Sequence, residues 1–150
     1  MAGKELKNRV LYVTGGKESA KKVADAIAAG IAQAATPVEK HTAALGVGVL
    51  FIGCETNDTG KIKGGVRKML GKITSDEVKL VCGFATSSSG TGSIKAAIKA
   101  ICEPKGIRVA EEEFICKGAT AFGARGCPTE EDLKKAKEFS AQVLTNNRNL

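Results

Sequence analysis

Three short segments rich in glycine and hydroxyl side chains hold the residues of this chain that could do chemistry. They are Thr14-Gly15-Gly16-Lys17-Glu18-Ser19, Cys54-Glu55-Thr56-Asn57-Asp58-Thr59-Gly60 and Thr86-Ser87-Ser88-Ser89-Gly90-Thr91-Gly92. Small residues leave backbone N–H groups bare, and hydroxyls add donors, so all three suit a polar or anionic ligand. The first has the look of a nucleotide P-loop, but Glu18 follows Lys17 where that motif needs Ser or Thr. Gly90-Thr91-Gly92 lacks the third glycine of a dinucleotide fingerprint, because Lys95 stands there. His41 is the only histidine, so a nucleophilic triad would have to use it; a surface or edge histidine is the other reading.

The five cysteines are separated by 28, 20, 14 and 11 residues. No Cys-x-x-Cys pair exists, and one histidine adds little, which argues against a structural zinc site. Cys54 directly follows an apolar run and would be a reactive thiol if helix dipoles and lysines lowered its pKa; otherwise it is a small residue at the core edge. Cys82, Cys102 and Cys116 lie in apolar segments and read as packing residues.

The elements that must position these loops alternate along the chain. Val10–Val13 reads as a short buried strand, and residues 19–35 form a helix with Val23, Ile27 and Ile31 on one stripe. Val38–His41 is a candidate short edge strand. Val47–Ile52 and Val78–Ala85 are continuously apolar runs apart from single glycines, as parallel strands covered on both faces are. Between them Lys61–Lys72 is helical, with Ile62, Val66, Met69 and Leu70 on one side and five basic residues elsewhere.

Ser93 is the expected cap of a helix bearing Ile94, Ala97, Ile98 and Ile101, and Gly106 stops the chain shortly after it. Ile107–Val109 and Phe114–Cys116 supply a fifth strand, broken around Glu111-Glu112-Glu113. Thr129 with Glu130, Glu131 and Asp132 reads as an N-cap and acidic first turn, and the helix that follows turns Leu133, Ala136, Ser140, Val143 and Leu144 inward. This rhythm predicts one α/β domain over 1–150, an open parallel sheet with helices on both faces. Ligands of such sheets sit at the carboxyl ends of the strands, where segments 14–20, 53–60 and 85–93 should converge.

Composition limits the function classes. The chain has 150 residues, 43% hydrophobic and 4% aromatic, with a net charge of +7. The charge is uneven, +6 on residues 1–75 and +1 on 76–150. Tyr12 is the only tyrosine and there is no tryptophan, so base stacking has few candidates and nucleic acid is not expected as a partner. No apolar run approaches the roughly 20 residues of a membrane span. An odd cysteine count and the polar start MAGKELKNRV suit a reducing cytoplasm. A receiver domain of a two-component system would need an acidic pair after the first strand and an aspartate after the third; Thr14-Gly15 and Cys54-Glu55 stand there instead.

The sequence resembles the flavodoxin family over essentially its whole length. The resemblance rests on Lys21-Lys22-Val23-Ala24-Asp25-Ala26-Ile27-Ala28, Phe51-Ile52-Gly53 and Phe84-Ala85-Thr86. It also rests on the tail Phe114-x-Cys116-x-Gly118, Gly126-x-Pro128, Asp132-Leu133, Ala136 and Phe139, which looks like the short flavodoxin-like proteins. It implies a three-layer sandwich around a five-stranded parallel sheet of order 2-1-3-4-5, bound FMN, and electron transfer to redox partner proteins rather than stand-alone enzymatic turnover.

By that resemblance Thr14, Gly15, Gly16, Lys17, Glu18 and Ser19 would face the FMN phosphate, backbone amides at a helix N-terminus meeting a dianion. Residues 54–60 would lie beside the flavin N5 edge and Thr86–Gly92 along the pyrimidine edge. The family's phosphate loop has the pattern Ser/Thr-x-Thr-Gly-Asn-Thr. Aligned without gaps, Gly15–Ala20 keeps none of the three hydroxyl positions, has Glu18 in place of the glycine and leaves Ser19, on the asparagine position, as its one hydroxyl; a shift by one residue places Thr14 and Ser19 on hydroxyl positions and Lys17 on the glycine. A carboxylate 4 Å from a negative charge is repelled by about 1 kcal/mol in water. Lys17, Lys21 and Lys22 would offset it.

Residues 54–60 and 86–93 carry no aromatic side chain, and Phe122 is the one aromatic that would reach across. Each missing stacking partner forgoes about 0.5–1.5 kcal/mol. The net positive charge departs from the usual acidity of flavodoxins and implies partners with acidic docking faces. The alternative expectation is a flavodoxin-like module that has lost flavin binding and holds a partner or small anion. A flavin-dependent reductase would need a substrate pocket that such short loops hardly provide.

Overall fold

The computed structural model describes residues 7–13, 18–40, 46–57, 59–119 and 126–148. Five strands alternate with four α-helices: β1 (Lys7–Tyr12), α1 (Ser19–Gly30), β2 (Ala35–Pro37), β3 (Val47–Glu55), α2 (Gly64–Lys72), β4 (Val78–Ser87), α3 (Lys95–Cys102), β5 (Arg108–Lys117) and α4 (Glu130–Asn146). Short 3-10 turns occupy Val38–Lys40 and Glu103–Lys105. The strands form one sheet of order β2-β1-β3-β4-β5, with every pairing parallel. That is the order the resemblance implied.

Alternation along the central strands divides the interior in two. Leu11, Leu50, Ile52, Val81 and Ala85 point to the face covered by α2 and α3, against Val66, Leu70, Ile94 and Ile98. Val10, Tyr12, Val49, Phe51 and Phe84 point to the other face, against Val23 and Ile27 of α1 and Ala136 and Val143 of α4. Strands buried on both faces need apolar residues at every position, which is why β3 and β4 appear in the sequence as unbroken apolar runs. The rings of Phe51 and Phe114 pack on Phe139 at centroid distances of 6.3 and 5.6 Å. These three phenylalanines thus belong to the α1/α4 core.

Several elements differ from expectation. The edge strand β2 is Ala35–Pro37, and Val38–Lys40 turn away as a 3-10 segment, with Val38 buried; His41 lies outside the described residues. The first helix stops at Gly30 rather than residue 35, and the helix expected from Lys61 starts at Gly64. β5 is one strand through Glu111–Glu113; the expected break is a register shift, since Val81 pairs with Val109 but Gly83 pairs with Glu113. Ser93 does not cap α3. The N-cap residue is Ile94, whose N–H is held by the Glu113 carboxylate at 3.0 Å. The Thr129 cap stands as expected: its hydroxyl accepts from the Asp132 N–H at 3.1 Å and the Asp132 carboxylate accepts from the Thr129 N–H at 2.9 Å. Among the described residues no helix is long and apolar enough to cross a membrane.

Candidate functional site at the carboxyl edge of the sheet

Parallel strands end on one edge, and the loops leaving β3 and β4 are tied together there. The Thr56 N–H donates to the Thr86 carbonyl at 2.7 Å, and the Thr56 hydroxyl to the Lys61 carbonyl at 2.7 Å. Gly60 has φ +74° and lies directly on the Ser93 carbonyl, where any Cβ would collide. Glycine alone adopts this backbone without strain and with room to spare, so its place in the loop is steric as well as conformational. Thr59 folds back on Asn57, its N–H donating to Oδ1 at 3.0 Å. Glu55, Thr56, Asn57, Lys61, Ile62, Lys63 and Gly64 line a cleft of about 390 Å³ beside this loop.

The β4 loop closes on itself. The Ser87 hydroxyl donates to the Thr91 carbonyl at 2.6 Å and the Gly90 N–H to the Ser87 carbonyl at 3.3 Å, while the Ser89 and Thr91 hydroxyls meet at 2.7 Å. Ser88 and Ser89 are exposed, Gly90 and Gly92 half-buried. The Gly118 N–H also donates to the Ser87 carbonyl, at 2.9 Å, which draws the end of β5 into the same edge.

Ser19, the first residue of α1, and Thr86 of β4 are buried, and neither hydroxyl has a hydrogen-bond partner among the described residues. Gly118 separates them. A Cβ on Gly118 would stand 2.7 Å from Thr86 Cβ and 2.8 Å from Ser19 Cβ, so only glycine lets the three segments close. A buried hydroxyl without a partner costs about 1–3 kcal/mol, so two of them together are an unmet capacity to hold a ligand or water.

Glu18 precedes α1 in the left-handed conformation, φ 59°, exposed, and puts no side-chain cap on the helix. The opening N–H groups of a helix have no intrahelical acceptor, so this helix start keeps donors for an outside acceptor. Lys21 is held by Asp25 at 3.1 Å, which raises its pKa, while Lys22 is exposed and makes no ion pair among the described residues. Thr14, Gly15, Gly16, Lys17 and Asp58 lie outside the described residues, as does Phe122.

Cys54 is fully buried in the core under α2. Burial pushes its thiol up, and this outweighs the Lys63 backbone N–H and ammonium, which pull it down. The reading of Cys54 as an activated thiolate therefore fails; the core-edge reading holds. Among the described residues no group of His, Cys, Asp or Glu could hold a metal ion. What the edge presents is mostly donors, hydroxyls, backbone amides and ammonium groups, beside the Glu18 and Glu55 carboxylates, while the described aromatic rings belong to the core under α1 and α4. Such a set suits a polar or anionic ligand. Sequence reasoning left Gly118 out of the site, although it stood in the tail pattern, because its steric role appears only when Ser19 and Thr86 face each other.

No family model matches the sequence, and no curated protein matches it. Solved structures do. The fold is that of the flavodoxins, and the chain is similar over nearly its full length to several of them. A short-chain flavodoxin associated with a PDU bacterial microcompartment aligns at TM-score 0.68 and 13% identity, over 95% of this chain and 99% of that one. A flavodoxin from the domain Archaea aligns at TM-score 0.67 and 15% identity, over 96% and 100%. A Fusobacterium nucleatum flavodoxin bound to flavin mononucleotide aligns at TM-score 0.57 and 14% identity, over 95% and 99%.

Proposed function

We propose that this protein binds FMN at the carboxyl edge of its sheet and carries electrons to redox partner proteins that present acidic faces, in a reducing cytoplasm. The observation that supports this most directly is the pair of buried, unpartnered hydroxyls of Ser19 and Thr86 beside an uncapped helix start. The start of α1, with Ser19 and Lys22, would hold the phosphate; Glu55–Asn57 and Thr86–Gly92 would flank the ring. Bound FMN would supply reversible electron transfer, and the chain's own residues would bind it, orient it and set its surroundings. Five free cysteines, four of them buried, suit a reducing compartment.

One observation favours the second reading, a flavodoxin-fold module without flavin. Gly60 rests on the Ser93 carbonyl with no aromatic ring between the two loops. The deciding experiment is the visible spectrum of the purified protein followed by titration of FMN fluorescence. A flavin spectrum, or saturable quenching, supports the carrier. Quenching that fails to saturate at high-micromolar FMN rejects it in favour of the module.

A further inference from the structure

The positive charge of this protein has an address. Residues 59–75 contain Lys61, Lys63, Arg67, Lys68 and Lys72 and not one acid, which is most of the net +7 of the chain. All five are exposed, and among the described residues none enters an ion pair. Elsewhere the described charges are mixed: Lys95 and Lys99 of α3 pair with Glu111, and Lys21 of α1 pairs with Asp25.

Lys72 suits the last turn of α2, but the rest of the arrangement works against the helix that carries it. Lys68 and Lys72 are one turn apart on α2, a like-charge spacing that destabilises a helix. Lys61 and Lys63 sit at the N-terminal end of α2, where the helix dipole disfavours cations, and Lys63 supplies no side-chain cap. The other end is already served, since Lys105 donates to the Leu70 and Gly71 carbonyls at 2.8 and 2.9 Å. A cationic face whose side chains pair with no acid among the described residues, with Glu39 and Glu55 the acids that share its clefts, keeps a net positive charge complementary to negative charge from outside.

An apolar cleft opens along this face. It has a volume of about 370 Å³ and is bounded by Val13, Val38 and Met69, with Lys68, Lys72 and Glu39 on its rim. Val13 follows β1, so the cleft lies at the same edge of the sheet as the site described above. We infer that α2 and the cleft between it and the Val38–Lys40 turn form a docking surface for an acidic protein segment that inserts one apolar side chain beside Met69. A protein segment suits it better than nucleic acid: the chain has no aromatic residue from 53 to 83 to stack a base, while the cleft floor offers a pocket for a side chain. The inference rests on the carrier reading only for the partner's being a redox protein.

The test is an amide NMR titration with a short Glu/Asp-rich peptide carrying one Leu, run with and without added FMN. Shifts confined to residues 61–72, Val13 and Val38 are expected, with affinity falling about tenfold in Lys68→Gln/Lys72→Gln and falling as salt is raised. The same peptide with Ser for Leu should bind several-fold more weakly. The double variant relieves repulsion, so its thermal midpoint should hold or rise, separating lost binding from lost fold. Shifts spread over other faces, unchanged affinity in the double variant, equal binding of the Ser peptide, or tighter binding of single-stranded DNA or anionic vesicles would each overturn the inference. None of these results depends on whether FMN quenching saturates.

Discussion

Oε1 of Glu113 accepts the Ile94 N–H at 3.0 Å, so a carboxylate on the edge strand β5 caps helix α3 across 19 residues of sequence. Its other oxygen accepts the Ser93 hydroxyl. One side chain thereby satisfies a helix-start donor, sets a negative charge at the positive end of the dipole, and holds the β4 loop against β5. Glu113→Ala should lower the unfolding free energy by about 1–2 kcal/mol in urea titrations. Ser93→Ala, which leaves the N–H contact in place, should cost less. Equal losses would mean that the hydroxyl, not the helix start, is what Glu113 serves.

Gly118→Ala places a methyl group against Ser19 and Thr86, with no flexible tip to give way. A destabilisation of about 1–3 kcal/mol is expected, read by the same titration. Little change would show that the segments close less tightly than described.

Ser19→Ala removes a buried hydroxyl that has no partner among the described residues. Stability without cofactor should hold, or rise by about 1 kcal/mol. FMN affinity should fall, by about tenfold if one charge-assisted hydrogen bond is lost. Unchanged affinity would remove Ser19 from the site.

Glu18 occupies a left-handed backbone position, which asparagine adopts more readily, and carries charge at the helix start proposed above to take the phosphate. Glu18→Asn should raise the thermal midpoint slightly and tighten FMN binding. A higher midpoint with unaltered FMN affinity would place the carboxylate away from the ligand.

Burial pushes Cys102 up to about 11 and Cys116 up to about 12, from an ordinary value of 9.0, and raises Cys54 and Cys82 as well. Folded thiols then keep protons that the unfolded chain releases above about pH 9, so folding stability should be level below that pH and fall between about pH 9 and 12. Denaturant titrations across that range check the sign. At pH 8 a disulfide reagent should modify one thiol quickly, the half-buried Cys127, and Cys127→Ser should abolish that phase.

The sequence by itself determined the order of the elements, because the signals are local. Val47–Ile52 and Val78–Ala85 are apolar at nearly every position since both faces of a central parallel strand are covered, and Val23 and Ile27 repeat at helical spacing. Thr129 caps α4 through a residue only three positions away, so its role was readable in a single glance at the chain. Tertiary structure alone decided what depends on distant partners. Pairing with β1 selects Ala35–Pro37 over Val38–His41 as the edge strand, and Glu113 takes the cap expected of Ser93. Ser19, Thr86 and Gly118 meet only because sheet order and register bring the ends of α1, β4 and β5 to one edge. No periodicity records such a meeting, since it is fixed by strand neighbours and not by neighbours along the chain.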